Sequence, residues 1–569
     1  MSKFMSIVKN EKILRVLFFL AVSVLAVAVW YSPIIFKGYA THEISREIIL
    51  ARNYYETGVF ADQNNLNITL ASSLIKADGH PLVLTEYLGA FFYSKIFKLI
   101  GGVPAYNDLI LTSIVLYALI LFIFSILVLR LFGFKIAMIF SLIYMFLPFI
   151  WGTTYCLEMY EFCFIFWSLF FVFYFWADKR QDKWSIPLFV ISGIFLVLSG
   201  LSKEVTLVFA LALFIYLFFK KKRKELFSIF IPFTVLLVVF WLPAIINGTN
   251  RYVSLLKPDS EEAIFTGYFH VFPDPYTYYF EKDQFLEQFK NQDLGLSENL
   301  EIKKNLVNFG LAKITIVDRL KVGTYILIQH FLRFFSLQEF GGPFIFLFLI
   351  LGFLYLKKRS EEIYGLFKCW LIISFLVFSY VLLAGRSHLM DFSWSLVLVI
   401  TMGLIYLIDI LKEKFDLINR KSLIFELLII GLVIYHLILV NHIVLGARYE
   451  KDSIPRSMAY ADLVNKLDVK NTDVIAIPAD FPNQIATLNY FINKSFVIFK
   501  PETIKRLYAE NKLKKALEAF NVKYILGYSD DVSKKVTEQA KIMNIASDSL
   551  KFDIKKVSEN KSFFMNLVR

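Results

Sequence analysis

Long apolar runs recur along this chain, and polar stretches separate them. Most of the runs approach or exceed about 18 residues, the length at which a helix crosses roughly 30 Å of hydrocarbon. The pattern therefore predicts a polytopic α-helical membrane protein with about eleven spans. The predicted spans are residues 13–36, 108–132, 134–151, 156–177, 186–201, 204–219, 226–246, 342–356, 366–384, 389–408 and 424–446.

Three longer polar stretches, 37–107, 247–341 and 447–569, interrupt the apolar pattern. In the first of them, Gly38–Phe60 has apolar residues at helical spacing, which predicts an amphipathic helix lying beside the bilayer. The apolar stripe of this helix consists of Ile44, Ile48, Ala51 and Tyr55. A second helix is predicted at 82–100.

The last stretch is too rich in apolar and β-branched segments to be disordered by composition. It predicts a helix or helix pair over Pro501–Phe520 and strands at Val474–Pro478, Phe496–Phe499 and Tyr524–Gly527. We therefore expect two domains, a membrane module at 1–446 and a small α/β domain at 447–569.

The chain is 57% hydrophobic and carries a formal net charge of +13. A basic balance can indicate a nucleic-acid partner, but here the basic residues cluster in every second loop, as in the KKKRK run at Lys220–Lys224. This alternation follows the positive-inside rule of membrane proteins. It predicts a partner that is membrane lipid rather than nucleic acid, a cytoplasmic N-terminus, and an extracytoplasmic position for the three polar stretches.

Ionisable residues gather at the outer ends of the predicted spans. Glu43 and Glu47 lie one helical turn apart, and Glu158 and Glu161 lie on one face where the fourth span begins. Further candidates on this side are His80, Lys203, His330, Arg333, Arg386 and His388. Carboxylates and cations together suit an anionic lipid headgroup, although each residue alone is equally typical of a solvated helix face or a turn.

The second polar stretch is strongly aromatic between Tyr268 and Phe280. Aromatic rings of this kind stack against sugars, and they also form the belts that anchor proteins at the membrane interface. The sequence leaves both interpretations open.

The order of several short motifs resembles that of the GT-C superfamily of polyprenyl-phosphate-sugar-dependent glycosyltransferases, in particular bacterial relatives of protein O-mannosyltransferases and lipid A aminoarabinose transferases. The resemblance covers roughly residues 10–410. It is carried by Glu43 with Ala51-Arg52 and Glu56-Thr57-Gly58, His80-Pro81-Leu82 with Leu88-Gly89-Ala90 and Gly101-Gly102, Glu158 or Glu161, Leu201-Ser202-Lys203-Glu204, and Arg386.

The chain departs from the family pattern at three places. Ile44 follows Glu43 where the family has a pair of acids, Leu82 replaces the second proline of a Pro-Pro element, and Ser387 follows Arg386 where the family has tyrosine.

The resemblance implies a sugar donor on a polyprenyl phosphate and an acceptor that is a protein, lipid or glycan. It implies inversion at the anomeric carbon, with Glu43 as the carboxylate general base and Glu158 and Glu161 orienting the reactants. It assigns the donor phosphate to Lys203, Arg386, His80 and Arg333. Secondary candidates for the site, without an assigned role, are Glu47, Arg52 and His388. No cofactor is implied, and no His, Cys or carboxylate spacing demands a metal, although a divalent ion could gather scattered acids.

Two other functions remain open. A polysaccharide polymerase or ligase would share the fold and use a glycan on a diphosphate carrier. A transporter would place polar residues near the bilayer midplane and often has internal repeats, neither of which is present in this sequence.

Overall fold

A computed structural model of the chain describes the residues that follow. They are 11–37, 46–58, 88–155, 157, 160–180, 182–203, 206–246, 275–281, 283–285, 287, 316–383, 393–415, 420–449, 461–462, 465, 474–478, 490–492, 495–499, 503, 506–507, 509–528 and 540–544. They fall into two compact units. The first is Met1–Ala40, Pro104–Phe240 and Ile316–Glu450, and the second is Thr41–Val103, Trp241–Thr315 and Lys451–Arg569.

The first unit is built from long apolar helices. They are α1 (Glu11–Lys37), α4 (Tyr106–Phe132), α5 (Phe134–Phe146), α6 (Pro148–Thr154), α7 (Tyr160–Asp178), α8 (Ser185–Ser202), α9 (Leu207–Phe219), α10 (Arg223–Ile246), α12 (Ile316–Arg333), α13 (Leu337–Phe340), α14 (Pro343–Arg359), α15 (Glu361–Leu376), α16 (Ser393–Lys414) and α17 (Arg420–Tyr449). A π-helical turn, Val377–Val381, continues α15.

Eight helices of the described residues are long and apolar enough to cross a membrane, and the bent pair α5–α6 raises the number to nine. The other two predicted spans form shorter helices, α9 with 13 residues and α14 with 17. Every predicted span therefore corresponds to helix, and the predicted polytopic fold class is confirmed. The prediction of one continuous span at 134–151 is wrong, because the chain bends by 62° between α5 and α6. Pro148 at the start of α6 has no N–H with which to continue the hydrogen bonding of α5.

Close helix packing in the first unit depends on glycine. A Cβ placed on Gly352 would lie 1.8 Å from the carbonyl oxygen of Val399, and one on Gly403 would lie 1.8 Å from that of Phe348. These glycines allow the backbones of α14 and α16 to touch, as small residues do in membrane helix pairs.

Aromatic rings fill the interior between α4, α7, α9, α15 and α16. Trp370 lies 4.7 Å from Trp167 and 4.6 Å from Phe209, measured between ring centroids. Trp394 lies 4.6 Å from Phe171 and stacks on Phe124 at 4.7 Å. This cluster holds the helices whose ends carry the polar residues described below.

The second unit contains helices α2 (Arg46–Thr57), α3 (Leu88–Ile100), α11 (Pro275–Phe280) and α18 (Leu513–Ala519). The predicted amphipathic helix is α2. Its stripe packs on protein, since Ile48 and Ala51 are fully buried and the ring of Tyr55 meets that of Phe97 on α3. The apolar stripe of this helix is therefore covered by protein.

Four strands complete the second unit: β1 (Val474–Pro478), β2 (Phe496–Phe499), β3 (Val522–Tyr528) and β4 (Ala540–Asn544). They pair in the order β2-β1-β3-β4, with β1 parallel to β2 and β3, and β4 antiparallel to β3. The three predicted strands are confirmed, whereas the sequence did not reveal β4. The domain boundary between residues 446 and 447 stays a prediction.

Candidate functional site

The candidate carboxylate Glu161 lies in the first turn of α7 and is fully buried. The hydroxyl oxygen of Ser113 on α4 lies 2.5 Å from Glu161 Oε1 and 2.9 Å from the carbonyl oxygen of Thr154 at the end of α6. A carboxylate removed from water needs hydrogen-bond donors to offset the loss of hydration. Ser113 supplies one of them, and it ties three helices together at this point.

The bend between α5 and α6 brings the end of α6 to this cluster. Trp151 donates from Nε1 to the hydroxyl of Tyr155 at 2.7 Å, and that hydroxyl donates to the carbonyl of Trp30 on α1. Trp30 in turn donates from its indole to the carbonyl of Met145 at 2.9 Å. The last of these bonds satisfies the carbonyl of Met145 in the last turn of α5, which the bend leaves open.

The candidate cation Lys203 directly follows α8. Its ammonium lies 4.8 Å from the centroid of the Tyr160 ring, a cation–π contact with the residue next to Glu161. The backbone of Lys203 is held as well, because its carbonyl accepts from the hydroxyl of Thr206 at 2.9 Å. The structure thus brings two of the predicted residues, Glu161 and Lys203, to the same end of the α7–α8 hairpin.

Arg333 ends α12, and its guanidinium pairs with the carboxylate of Glu339 at 3.1 Å. His330, one turn earlier, is buried beside the ring of Phe375.

In the second unit, Glu47 lies in the first turn of α2, and Arg52 lies on the same helix. Arg52 is buried and donates to the backbone carbonyl of Tyr490 at 2.5 Å. Burial raises the pKa of the Tyr490 phenol, and the neighbouring Arg52 guanidinium only partly opposes this effect. The phenol therefore stays protonated.

The remaining predicted residues lie outside the described part of the chain: Glu43, Glu158, His80, Arg386 and His388. Among the residues that the structure describes, no group of three or more His, Cys, Asp or Glu could hold a metal ion.

Part of the aromatic segment lies against protein. Tyr276 on α11 is buried, and the guanidinium of Arg506 lies 5.8 Å from its ring centroid. Arg506 also pairs with Glu281 at 2.7 Å. The Tyr276 ring therefore packs inside the second unit, whereas Phe280 is 51% exposed and its ring stacks on that of Tyr276 at 4.9 Å.

The sequence did not single out Ser113, Thr154 or Tyr160. The only local signal for Ser113 is a hydroxyl within an apolar span, and Ser125 on the same helix shares that signal while bonding to Ser141 at 2.7 Å.

No protein-family model matches the sequence, and no curated protein matches it. Among solved structures, the chain is similar to the Archaeoglobus fulgidus oligosaccharyltransferase in complex with Zn and sulfate, with a TM-score of 0.51, 14% identity, and coverage of 89% of this chain and 68% of that one. The chain is also similar to the oligosaccharyltransferase AglB of that organism with an inhibitory peptide and a dolichol-phosphate (TM-score 0.48, 13% identity, 90% of this chain and 69% of that one). A third similar structure is ArnT from Cupriavidus metallidurans bound to undecaprenyl phosphate (TM-score 0.47, 12% identity, 94% and 98%). The first likeness shows that the chain has a fold of the GT-C type, as predicted.

Proposed function

We propose that this chain, which has the GT-C fold, is an integral membrane glycosyltransferase. It moves a sugar from a polyprenyl-phosphate donor to a protein, lipid or glycan acceptor on the extracytoplasmic face. The observation that carries the proposal is the polar end of the α7–α8 hairpin. At this place in a membrane protein, the fully buried carboxylate of Glu161 follows Tyr160, whose ring makes a cation–π contact with the ammonium of Lys203. Ionisable groups in such places are costly and are typically kept for function.

The chemistry of the donor defines the tasks of the protein. A lipid phosphate is already a good leaving group, so the reaction needs a base for the acceptor hydroxyl and cations for the phosphate as charge develops on it. The base is assigned to Glu43, and attack in a single displacement inverts the anomeric carbon. The phosphate is assigned to Lys203 and Arg386, with His80 and Arg333 in support.

Glu161 has a different role from Glu43 in this proposal. Its carboxylate is enclosed by α4, α6 and α7, and it accepts from Ser113. This enclosure favours a positioning role, in which Glu161 holds Tyr160 and the start of α7 in the geometry that presents Lys203. Glu158, two residues before Tyr160, is assigned to orienting the reactants.

The proposed transfer includes no metal-dependent step. We expect transfer to persist in EDTA, and loss of transfer that added Mg²⁺ or Mn²⁺ restores would contradict this part of the proposal.

The test is transfer by the purified full-length chain in liposomes that contain a polyprenyl-phosphate-linked sugar and a hydroxyl acceptor. Glu43→Gln should lower turnover by about 10²–10⁴ while the protein still inserts and folds. Glu225→Gln, in the basic region assigned to the cytoplasmic side, is the matched control and should retain full turnover. Near-normal turnover by Glu43→Gln would refute the assigned base. Transfer from diphosphate-linked glycans alone would favour a polymerase or ligase instead.

A further inference from the structure

Arg52 is enclosed in protein, although it is a secondary candidate for the site. Only 6% of the residue is exposed. Its Nη1 donates to the carbonyl oxygen of Tyr490, while Nε and Nη2 both donate to Asn53 Oδ1, at 3.1 and 2.9 Å. The guanidinium also lies 5.8 Å from the Tyr490 ring centroid and 4.0 Å from a carboxylate oxygen of Glu56.

These contacts use the geometry of the guanidinium. The N–H groups of a guanidinium lie in one plane and donate in fixed directions. When Nε and Nη2 donate to Asn53 Oδ1, Nη1 is therefore aimed at the Tyr490 carbonyl. The ring of Tyr490 lies close enough to add a cation–π contact. A lysine at this position would keep the charge but would lose the planar set of N–H donors.

The bond from Arg52 to Tyr490 joins positions 438 residues apart. It connects α2 to the third polar stretch, 447–569, which is called the tail below. The contact lies in the part of the tail between β1 and β2. On its other face α2 packs against α3, where the rings of Tyr54 and Phe91 lie 6.0 Å apart. The helix is thus held by apolar packing on one side and by a charged anchor on the other.

The tail holds the second polar stretch in a similar way. Arg506 pairs with Glu281 at 2.7 Å and lies over the ring of Tyr276. Phe520 adds an edge contact with Phe280 at 6.0 Å. In each case one arginine joins a helix of a polar loop to the tail, which favours a scaffolding role for the tail.

We propose that Arg52 is a positioning residue through which the tail, at Tyr490, fixes the orientation of α2. This inference rests on the proposed function, because Glu47 lies on α2 and Glu43 precedes it in the chain by three residues. Arg52 acts on these carboxylates by holding the helix, and it does not bind the donor phosphate. The tail is then required for turnover through this contact with α2.

The proposal separates two kinetic effects. Misplacing a base by about 1 Å can lower turnover by about 10²-fold while leaving donor binding intact. Loss of a phosphate ligand would instead raise KM for the donor, and a lysine would restore much of the lost attraction because charge is what the phosphate requires. We therefore expect Arg52→Ala and Arg52→Lys to behave alike, with kcat lowered by about tenfold to a hundredfold and donor KM unchanged.

The experiment compares wild type, Arg52→Ala, Arg52→Lys and Tyr490→Phe in the liposome transfer assay. Amide hydrogen exchange across 46–57 is measured on the same full-length proteins. Tyr490→Phe keeps both the ring and the carbonyl that Arg52 contacts, so it should match wild type in both measurements. Both Arg52 variants should show faster exchange in α2 together with the loss of kcat. If Arg52→Ala does not insert, Asn53→Ala removes the two bonds that aim the guanidinium and should give the same changes at smaller size.

Two results would overturn the proposal: a raised donor KM that Arg52→Lys restores, or exchange in α2 that no variant alters. If the wild-type chain transfers no sugar from any donor, the proposed function fails by itself. Exchange in α2 then still decides whether the tail anchors this helix, because that measurement needs no substrate.

Discussion

The hydroxyl of Ser113 lies 2.5 Å from the carboxylate of Glu161, although the two residues are 48 positions apart in the chain. Ser113 also lies 2.9 Å from the carbonyl of Thr154. A hydrogen bond to a buried carboxylate is stronger than one in water and costly to lose. This contact therefore fixes the start of α7, where the ring of Tyr160 makes a cation–π contact with the ammonium of Lys203.

Removing the Ser113 hydroxyl should impair this cluster. We expect Ser113→Ala to lower kcat/KM for sugar transfer by about tenfold, because a hydrogen bond to a charged group is worth about 1.5–3 kcal/mol. Glu161→Gln should have a similar or larger effect. The control is Ser125→Ala, which removes an equally buried hydroxyl of α4 that bonds to Ser141 instead of to a carboxylate. Equal losses in the two serine variants would indicate a general effect on α4.

Lys203 should act through its charge. Lys203→Met is expected to raise KM for the donor by about tenfold, while Lys203→Arg, which keeps the charge and can also lie over Tyr160, should stay close to wild type. Donor titrations in the liposome assay measure both. The control is Lys183→Met. Lys183 is exposed and lies two residues before the start of α8, at the end opposite to Lys203, so this change should leave KM for the donor unchanged. A full loss in Lys203→Arg would show that shape rather than charge matters.

The contact between α14 and α16 should not tolerate a methyl group. Gly352→Ala and Gly403→Ala each place a Cβ 1.8 Å from a backbone oxygen, so the helices must move apart. Overpacking of this kind typically lowers stability by about 1–3 kcal/mol. Gly431→Ala is the matched control, since nothing lies within 4 Å of a Cβ there and alanine is the better helix former. Thermal unfolding in detergent should show lower midpoints for the first two variants alone.

Lys222 pairs with two carboxylates, Asp178 at 3.0 Å and Glu362. Burial lowers the pKa of Lys222, but the hydrogen bonds that it donates to Glu362 and Asp178, with their negative charges, outweigh this effect and raise the pKa above the usual 10.5. Because the pKa of Lys222 is higher in the folded than in the unfolded state, the stabilisation that its ion pairs provide is complete below about pH 10.5. It disappears as the pH rises through the folded-state pKa.

Lys222→Met should therefore lower the free energy of unfolding by about 1–2 kcal/mol at neutral pH. The difference from wild type should stay constant up to the ordinary lysine pKa and shrink only in stronger alkali. Lys220→Met is the control, because Lys220 pairs with Glu361 through side chains that are 46% and 80% exposed, and such surface pairs contribute little. A difference that vanishes already near neutral pH would contradict the assignment.

Arg506 should hold α11 to the tail. Arg506→Ala removes the pair with Glu281 and the contact with Tyr276, so we expect faster amide exchange at 275–281 and easier proteolysis nearby. Lys514→Ala serves as the control, since Lys514 pairs with Glu518 at the surface, where the two side chains are 88% and 65% exposed. Unchanged protection of α11 in Arg506→Ala would show that apolar contacts alone, such as Phe280 with Phe520, hold it.

The sequence predicted what depends on neighbouring residues. Apolar length marked every span, and short apolar segments marked β1, β2 and β3. The motif order also predicted the GT-C type of fold, because motifs record local chemistry. The sequence failed where a local pattern has two outcomes. The stripe of α2 would suit lipid or protein equally, and only the folded chain shows that Ile48 is buried and that Tyr55 meets Phe97 of α3.

Only the tertiary structure decided which polar groups meet. Ser113 and Ser125 are alike in sequence, yet one contacts Glu161 and the other contacts Ser141. Arg52 lies in a motif that resembles the GT-C pattern, yet its guanidinium bonds to a tail carbonyl 438 residues away. Periodicity determines secondary structure because it acts over a few residues. Hydrogen bonds between distant segments depend on how helices pack and bend, and a linear pattern does not encode that geometry in any single residue.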